Sequence, residues 1–132
     1  MDEEKYNFRV VQKAEVRSGK KYLLIKRSPN SPMFPNCWDF AGGKLEHGET
    51  PSQGILREVK EETGLSVELL HPKFVSTNGL KNHFGVIIVW GCKSSSKKIK
   101  LSFEHTEYKW VTKEKALSLE LEPYLKEYFE QL

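Results

Sequence analysis

The chain reads as an α/β protein, a mixed β-sheet flanked by helices. Three observations predict this. Strand-patterned segments outnumber helical ones and are spread over most of the 132 residues. One helix, after Thr50, carries start and stop residues at both ends. The segment from Leu121 to Leu132 returns to helical spacing. A sheet with an apolar face buries it against helices, so a layered arrangement follows. The length suits one domain with a single core, 1–132, and neither an internal repeat nor a linker interrupts it.

From Phe8 to Val16, Phe8, Val10, Ala14 and Val16 fall on one face and Arg9, Lys13 and Glu15 on the other. That alternation predicts a half-buried strand, interrupted at Gln12. Ser18-Gly19-Lys20 is a turn, and Tyr22 to Lys26 a second strand completing a hairpin. Pro29, Pro32 and Pro35 then exclude helix and strand, because proline brings no donor to either ladder. Such a loop commonly lines or gates a pocket. Trp38-Asp39-Phe40 is a short strand delivering Ala41-Gly42-Gly43, whose paired glycines let a ligand approach the main chain. Trp38 and Phe40 read as core or pocket-wall aromatics, with stacking on a substrate base as the alternative.

In the helix that follows, Thr50 is the N-cap, Pro51 takes the first position, Gln53 completes a capping box and Gly64 supplies the left-handed stop. Ile55, Leu56 and Val59 form an apolar arc, with Glu58, Glu61 and Glu62 on the arc beside it. Ser66 to Thr77 is strand-like, and Asn78-Gly79 signals a turn. The continuous apolar run from Gly85 to Trp90 suits a strand buried on both faces. Ser94 to Lys98 is a solvated loop. Leu101 to Phe103 and Tyr108 to Val111 are two further short strands, with Glu104 to Glu107 between them. Lys113 to Ser118 predicts a short helix. The tail helix carries Leu121, Tyr124, Leu125, Tyr128, Phe129 and Leu132, with Pro123 in its first turn.

Composition excludes several classes. At 38% hydrophobic and 30% charged residues, the chain suits a soluble folded domain rather than disorder. The net charge of +3 attracts anions only weakly, and no aromatics interleave the basic run near Lys97, so nucleic acid is not an expected partner. Cys37 and Cys92 are too few for a disulfide framework and lack zinc-ligand spacing, which leaves free thiols in a reducing compartment. The acidic opening MDEEKY is unlike a secretory leader, and the longest apolar run is too short to cross a bilayer. A cytoplasmic location is expected, with no membrane partner. The oligomeric state stays open, a homodimer included.

Glu58, Glu61 and Glu62 stand three and four residues apart, so their carboxylates are neighbours. Like charges so placed destabilise a bare helix by about 0.2–0.5 kcal/mol per pair, and a hard divalent cation among the oxygens would offset that. An ordinary solvated acidic face, with Arg57 paired to Glu61, is the competing interpretation. The longer pattern separates the two. It runs Gly43, five residues, Glu49, seven residues, Arg57-Glu58, an apolar residue, any residue, Glu61-Glu62, any residue, Gly64 and an apolar residue. This resembles the box of the Nudix (MutT-like) hydrolases and matches it at every defined position.

The resemblance implies an α/β/α sandwich whose box forms a loop–helix–loop. It implies a hydrolase that cleaves a nucleoside diphosphate linked to another moiety, with Mg²⁺ as cofactor or Mn²⁺ in its place. Glu58 and Glu62 would be the principal metal ligands, and Glu61 would bind a second ion or hold the nucleophilic water. The carbonyl of Gly42 would be a further ligand, although Ala41 stands where the family commonly has proline. Arg57 would pair with Glu49 and hold the helix to the preceding loop. The base would come from the box, at Glu61, or from a later glutamate, Glu104 or Glu107. Lys44 would reach a phosphate, while His47, His83 and His105 have no assigned role.

The resemblance further implies a small-molecule substrate, a nucleotide. Leu80 and Lys81 stand where relatives acting on ADP-ribose often carry proline, and Asn82 and His83 where dinucleoside polyphosphate hydrolases often carry tyrosine. Leu23 to Ser28 resembles the start of a coenzyme A motif whose later part is absent. Elimination favours a nucleoside triphosphate pyrophosphohydrolase releasing a monophosphate and pyrophosphate. A pyrophosphatase for ADP-ribose, another nucleotide sugar or a dinucleotide is the alternative. A non-catalytic nucleotide sensor is the remote one, since such modules usually lose the box glutamates retained here.

Overall fold

The strand that organises the sheet is its first, and from Gln12 to Val16 it is buried on both faces. The computed structural model describes residues 7–80 and 83–132. The acidic opening and Lys81-Asn82, two of the positions weighed for substrate choice, lie outside them. Strand β1 (Asn7–Ser18) runs parallel to β6 (His83–Lys93), which in turn pairs antiparallel with β5 (Glu68–Leu80). On its other edge β1 meets β2 (Lys21–Arg27) at only two register pairs, Arg17↔Tyr22 and Ser18↔Lys21. The expected hairpin then splays. The gap is filled by β3 (Trp38–Asp39), paired to β2, and β4 (Ala41–Lys44), paired to β1. Strand β7 (His105–Val111) covers the outer edge of β2.

Helix α1 (Pro51–Thr63) covers one face, where Ile55 and Val59 pack on Ala14, Val16, Leu23, Ile25 and Ala41. Both side chains are fully buried, worth about 1.5–3 kcal/mol each. Helices α2 (Lys113–Leu117) and α3 (Pro123–Glu130) cover the other, where Tyr124, Leu125, Tyr128 and Phe129 pack on Leu24, Phe40 and Val89. The result is the expected α/β/α sandwich around a mixed sheet. No described helix is long and apolar enough to cross a membrane.

Several local expectations are corrected. The polar face of β1 is not solvated, because α3 covers it: Lys13 and Glu15 are buried, paired with Asp39 and Lys73. Phe8, at the far end of the strand, is exposed instead. Asn78 and Gly79 continue β5 opposite Gly85 and Phe84 rather than turning. In β6 buried residues alternate with half-buried ones, so only one face is fully covered. Leu101 to Phe103 is not a strand, since the chain there is tied to the end of α1 through Lys100 and Ser102. Leu56 lies at the edge of the apolar arc and is exposed.

Candidate active site

Helix α1 begins and ends as its sequence dictates. Thr50 Oγ accepts from the Gln53 N–H, and Gln53 Oε1 from the Thr50 N–H, at 3.2 and 2.9 Å. Gly64 closes the helix at φ 77°, its N–H donating to the Lys60 carbonyl. Gly42 lets β4 lie against β1, and Gly43 lets the helix approach β4. A Cβ on Gly42 would fall 1.9 Å from the main-chain oxygen of Gln12, and one on Gly43 would fall 2.6 Å from the Glu58 carboxyl. The pair therefore forms a floor on which two box carboxylates rest.

Arg57 is the hub of the box. It forks onto Glu49 through Nε and Nη2, at 3.0 and 2.8 Å, and its Nη1 reaches Glu58 at 3.0 Å and Glu61 at 3.3 Å. The hydrogen bonds from Arg57 hold the Glu49 carboxyl down at about 2. Glu49 in turn accepts the Glu46 N–H, which pins the loop before the helix. The expected Arg57–Glu49 pair is thus present, and the same guanidinium also serves Glu58 and Glu61.

The other carboxylates differ by burial. Glu61 is open to solvent, with 59% of its side chain exposed against 16% for Glu58 and 8% for Glu62. Burial pushes the Glu58 carboxyl up, against the pull of Arg57. It pushes Glu62 up to about 8, although the Lys13 charge and the Gly42 N–H, 2.7 Å from Oε1, act the other way. The second Glu62 oxygen lies 3.9 Å from His105 Nδ1. Burial lowers the His105 pKa to about 4, so this imidazole is neutral at pH 7.

A cleft of about 720 Å³ gathers most of the expected site residues: Gly42, Lys44, Arg57, Glu58, Glu61, Glu62 and Glu104 all line it. Glu49 stands behind, holding Arg57. Trp38 and Phe40 are not brought to the cleft. Both are core side chains, Phe40 packed edge-on to Tyr128 and Phe129, and neither offers a face to a base. Glu107 turns to Lys26 on the neighbouring strand, 3.4 Å away, and does not line the cleft. His47 borders a separate shallow depression beside Phe8.

Lys13, Arg27 and His105 line the cleft and had no role in the sequence reading. Lys13 bonds Asp39 at 2.6 Å, and the Arg27 Nη1 sits 3.3 Å from both Asp39 and Glu122. Asp39 is itself buried, yet Lys13 and its hydrogen bonds hold it well below the usual carboxylate range, while burial and the Asp39 charge push Glu122 up. Arg27 also donates to Ser31 Oγ and the Met33 carbonyl, fixing the proline-rich loop as a wall of the cleft. No local signal in β1 marks Lys13, because its burial is set by α3, far along the chain.

Among the described residues, no three Asp, Glu, His or Cys side chains close on a single ion as they stand. Arg57 holds Glu58 and Glu61, and Gly42 holds Glu62. The donor set nonetheless fits a hard dication. It is all oxygen, and burial raises the carboxyl of Glu62 and, at a half-buried position, that of Glu58, a cost of bare charge that a cation can offset.

The family model for the NUDIX domain matches residues 9–132. A nucleoside triphosphatase, NudI, from Enterobacter sp. (strain 638) is 25% identical over 117 residues, covering 80% of this chain and 83% of its own. A MutT-like protein from Streptomyces ambofaciens is 37% identical over 97 residues, 74% of this chain, which spans 58% of that relative. The crystal structure of a MutT protein from Methanosarcina mazei Go1 superposes with a TM-score of 0.88 at 32% identity, covering 96% of this chain and 93% of that one. With the box, the sandwich and the cleft in agreement, the chain belongs to the Nudix family and is a hydrolase of phosphoric anhydride bonds.

Proposed function

We propose that the chain is a nucleoside triphosphate pyrophosphohydrolase that converts its substrate to a monophosphate and pyrophosphate. The observation that carries this is the cleft itself, which the box carboxylates line together with Lys13, Arg27 and Lys44. The cations suit a polyphosphate, and the carboxylates suit a dication that neutralises it. The similarity to a nucleoside triphosphatase supports the same substrate class. Glu58, Glu62 and the Gly42 carbonyl would hold Mg²⁺, or Mn²⁺ in its place, with Glu61 toward a second ion. Bound there, the ion would supply charge neutralisation and a polarised water.

In the reaction a water oxygen adds to one phosphorus of the α–β anhydride, and the bridging oxygen leaves with the other phosphate group. Glu104 or Glu61, both in the cleft, takes the proton from the water. Lys13 and Lys44 offset the charge that gathers on the phosphoryl oxygens. Two unpaired cysteines accord with a cytoplasmic enzyme. A panel of ribo- and deoxynucleoside triphosphates, ADP-ribose and dinucleoside polyphosphates with Mg²⁺ tests the reading. Monophosphate and pyrophosphate from triphosphates are the expected products. A higher kcat/KM for ADP-ribose or a dinucleoside polyphosphate would replace it.

A further inference from the structure

His105 is nine-tenths buried in the cleft, and its Nδ1 has no hydrogen-bond partner among the described residues. A buried polar nitrogen left unpaired costs about 1–3 kcal/mol, so native structures rarely keep one without a use. Its neighbour is Glu62 Oε2, 3.9 Å away, the oxygen that the Gly42 N–H does not hold. The backbone brings the two together. Ser102 N–H donates to the Glu62 carbonyl at 3.3 Å, and His105 N–H to the Ser102 carbonyl at 3.3 Å, so the turn before β7 hangs from the end of α1. Glu104 belongs to that turn, and its carbonyl accepts the Ser28 N–H from the cleft's opposite wall at 3.0 Å.

We propose that His105 is a positioning residue that carries its proton on Nδ1 and donates it to Glu62 Oε2, holding that carboxylate in the pose that binds the cation. The ring needs to move only about as far as separates 3.9 Å from a hydrogen bond of roughly 2.9 Å. With that bond made, Glu62 is gripped from both sides, by β4 through Gly42 and by β7 through His105. The same bond fixes the turn that carries Glu104. The role rests on Glu62 being a metal ligand. A partner that orients a ligating carboxylate typically contributes ten- to a hundredfold to metal affinity.

The test has two arms. Long-range ¹H–¹⁵N spectra of the wild-type protein, in EDTA and in Mg²⁺, read the tautomer of His105 directly, with His105→Asn identifying its signals. Protonated Nδ1 is expected, whereas an unconstrained imidazole favours Nε2. In the second arm, Mn²⁺ affinity is measured by electron paramagnetic resonance for wild type, His105→Leu and His105→Asn. Leucine removes the donor and should weaken binding about tenfold or more. Asparagine places an amide N–H near the Nδ1 position and should restore most of it. An Nε2 tautomer, or equal Mn²⁺ affinity in wild type and His105→Leu, overturns the assignment. A wild type that binds no Mn²⁺ would sink the metal site instead, and the tautomer would still decide the role of His105.

Discussion

At the scale of the residue, the four box glutamates have separate tasks because their surroundings differ. Glu62 is buried and singly anchored, Glu58 is shared with Arg57, Glu61 is exposed, and Glu49 is committed to Arg57. In the proposed reaction the proton acceptor is either Glu61 or Glu104, and kinetics separates them. If Glu104 is the base, Glu104→Gln lowers kcat far more than it raises KM, the mark of an interaction made in the transition state. A near-silent Glu104→Gln beside a crippled Glu61→Gln would put the base in the box. Glu49 gives a second expectation. Its folded pKa, about 2, lies below the 4.5 of an ordinary glutamate, so the stability it contributes is present above pH 4.5 and is lost as pH falls through about 2. Acid melts of wild type and Glu49→Gln should converge toward pH 2 and separate above pH 4.5. Curves that stay parallel would mean that the Arg57 pairing contributes nothing to stability.

At the scale of the element, α1 was legible from sequence to its last residue because capping is local chemistry. Thr50, Pro51, Gln53 and Gly64 act within one turn of their own position, and all four do as expected. Strand environment is not local. The alternation in β1 separates two faces, with Ala14 and Val16 packed beneath α1, but it does not tell which face is wet: whether Lys13 meets water or α3 depends on an element more than a hundred residues away. The same holds for Trp38 and Phe40, whose aromatic character suits a core and a base equally until α3 is placed. Strand β4 offers a test of what local packing demands. In Gly43→Ala the added Cβ meets the end of a flexible glutamate, so the fold should survive with a small loss of melting temperature while turnover collapses with Glu58 displaced. In Gly42→Ala the Cβ meets backbone at 1.9 Å, where nothing can step aside, so folding itself should fail. Circular dichroism melts and turnover on both variants check this. A fully active Gly43→Ala would show that Glu58 can leave its place without consequence.

At the scale of the whole molecule, the cleft joins segments that no single stretch of sequence contains. The wall from Arg27 to Met33, the floor of β4, the carboxylates of α1 and the turn before β7 meet only because β1 and β2 splay apart and β3 and β4 fill the gap. Metal should therefore stabilise the entire fold, since it ties the box helix to this sheet. The metal-free protein is less strained than three adjacent carboxylates imply, because the Arg57 Nη1 lies between Glu58 and Glu61. Removing the Glu61 charge deletes a repulsion and an exposed ion pair of similar size, each a few tenths of a kcal/mol, roughly 0.3–0.5. Glu61→Gln should then melt in EDTA within about a degree or two of wild type. Wild type should gain about 2.7 kcal/mol when free Mg²⁺ stands a hundredfold above its Kd. Glu61→Gln should gain less, and Glu62→Gln least, because the buried carboxylate has more to recover from a cation than the exposed one. Thermal melts of the three proteins in EDTA and in millimolar Mg²⁺ give the ordering. Equal gains in all three would remove both carboxylates from the metal site, and a wild type unmoved by Mg²⁺ would remove the site.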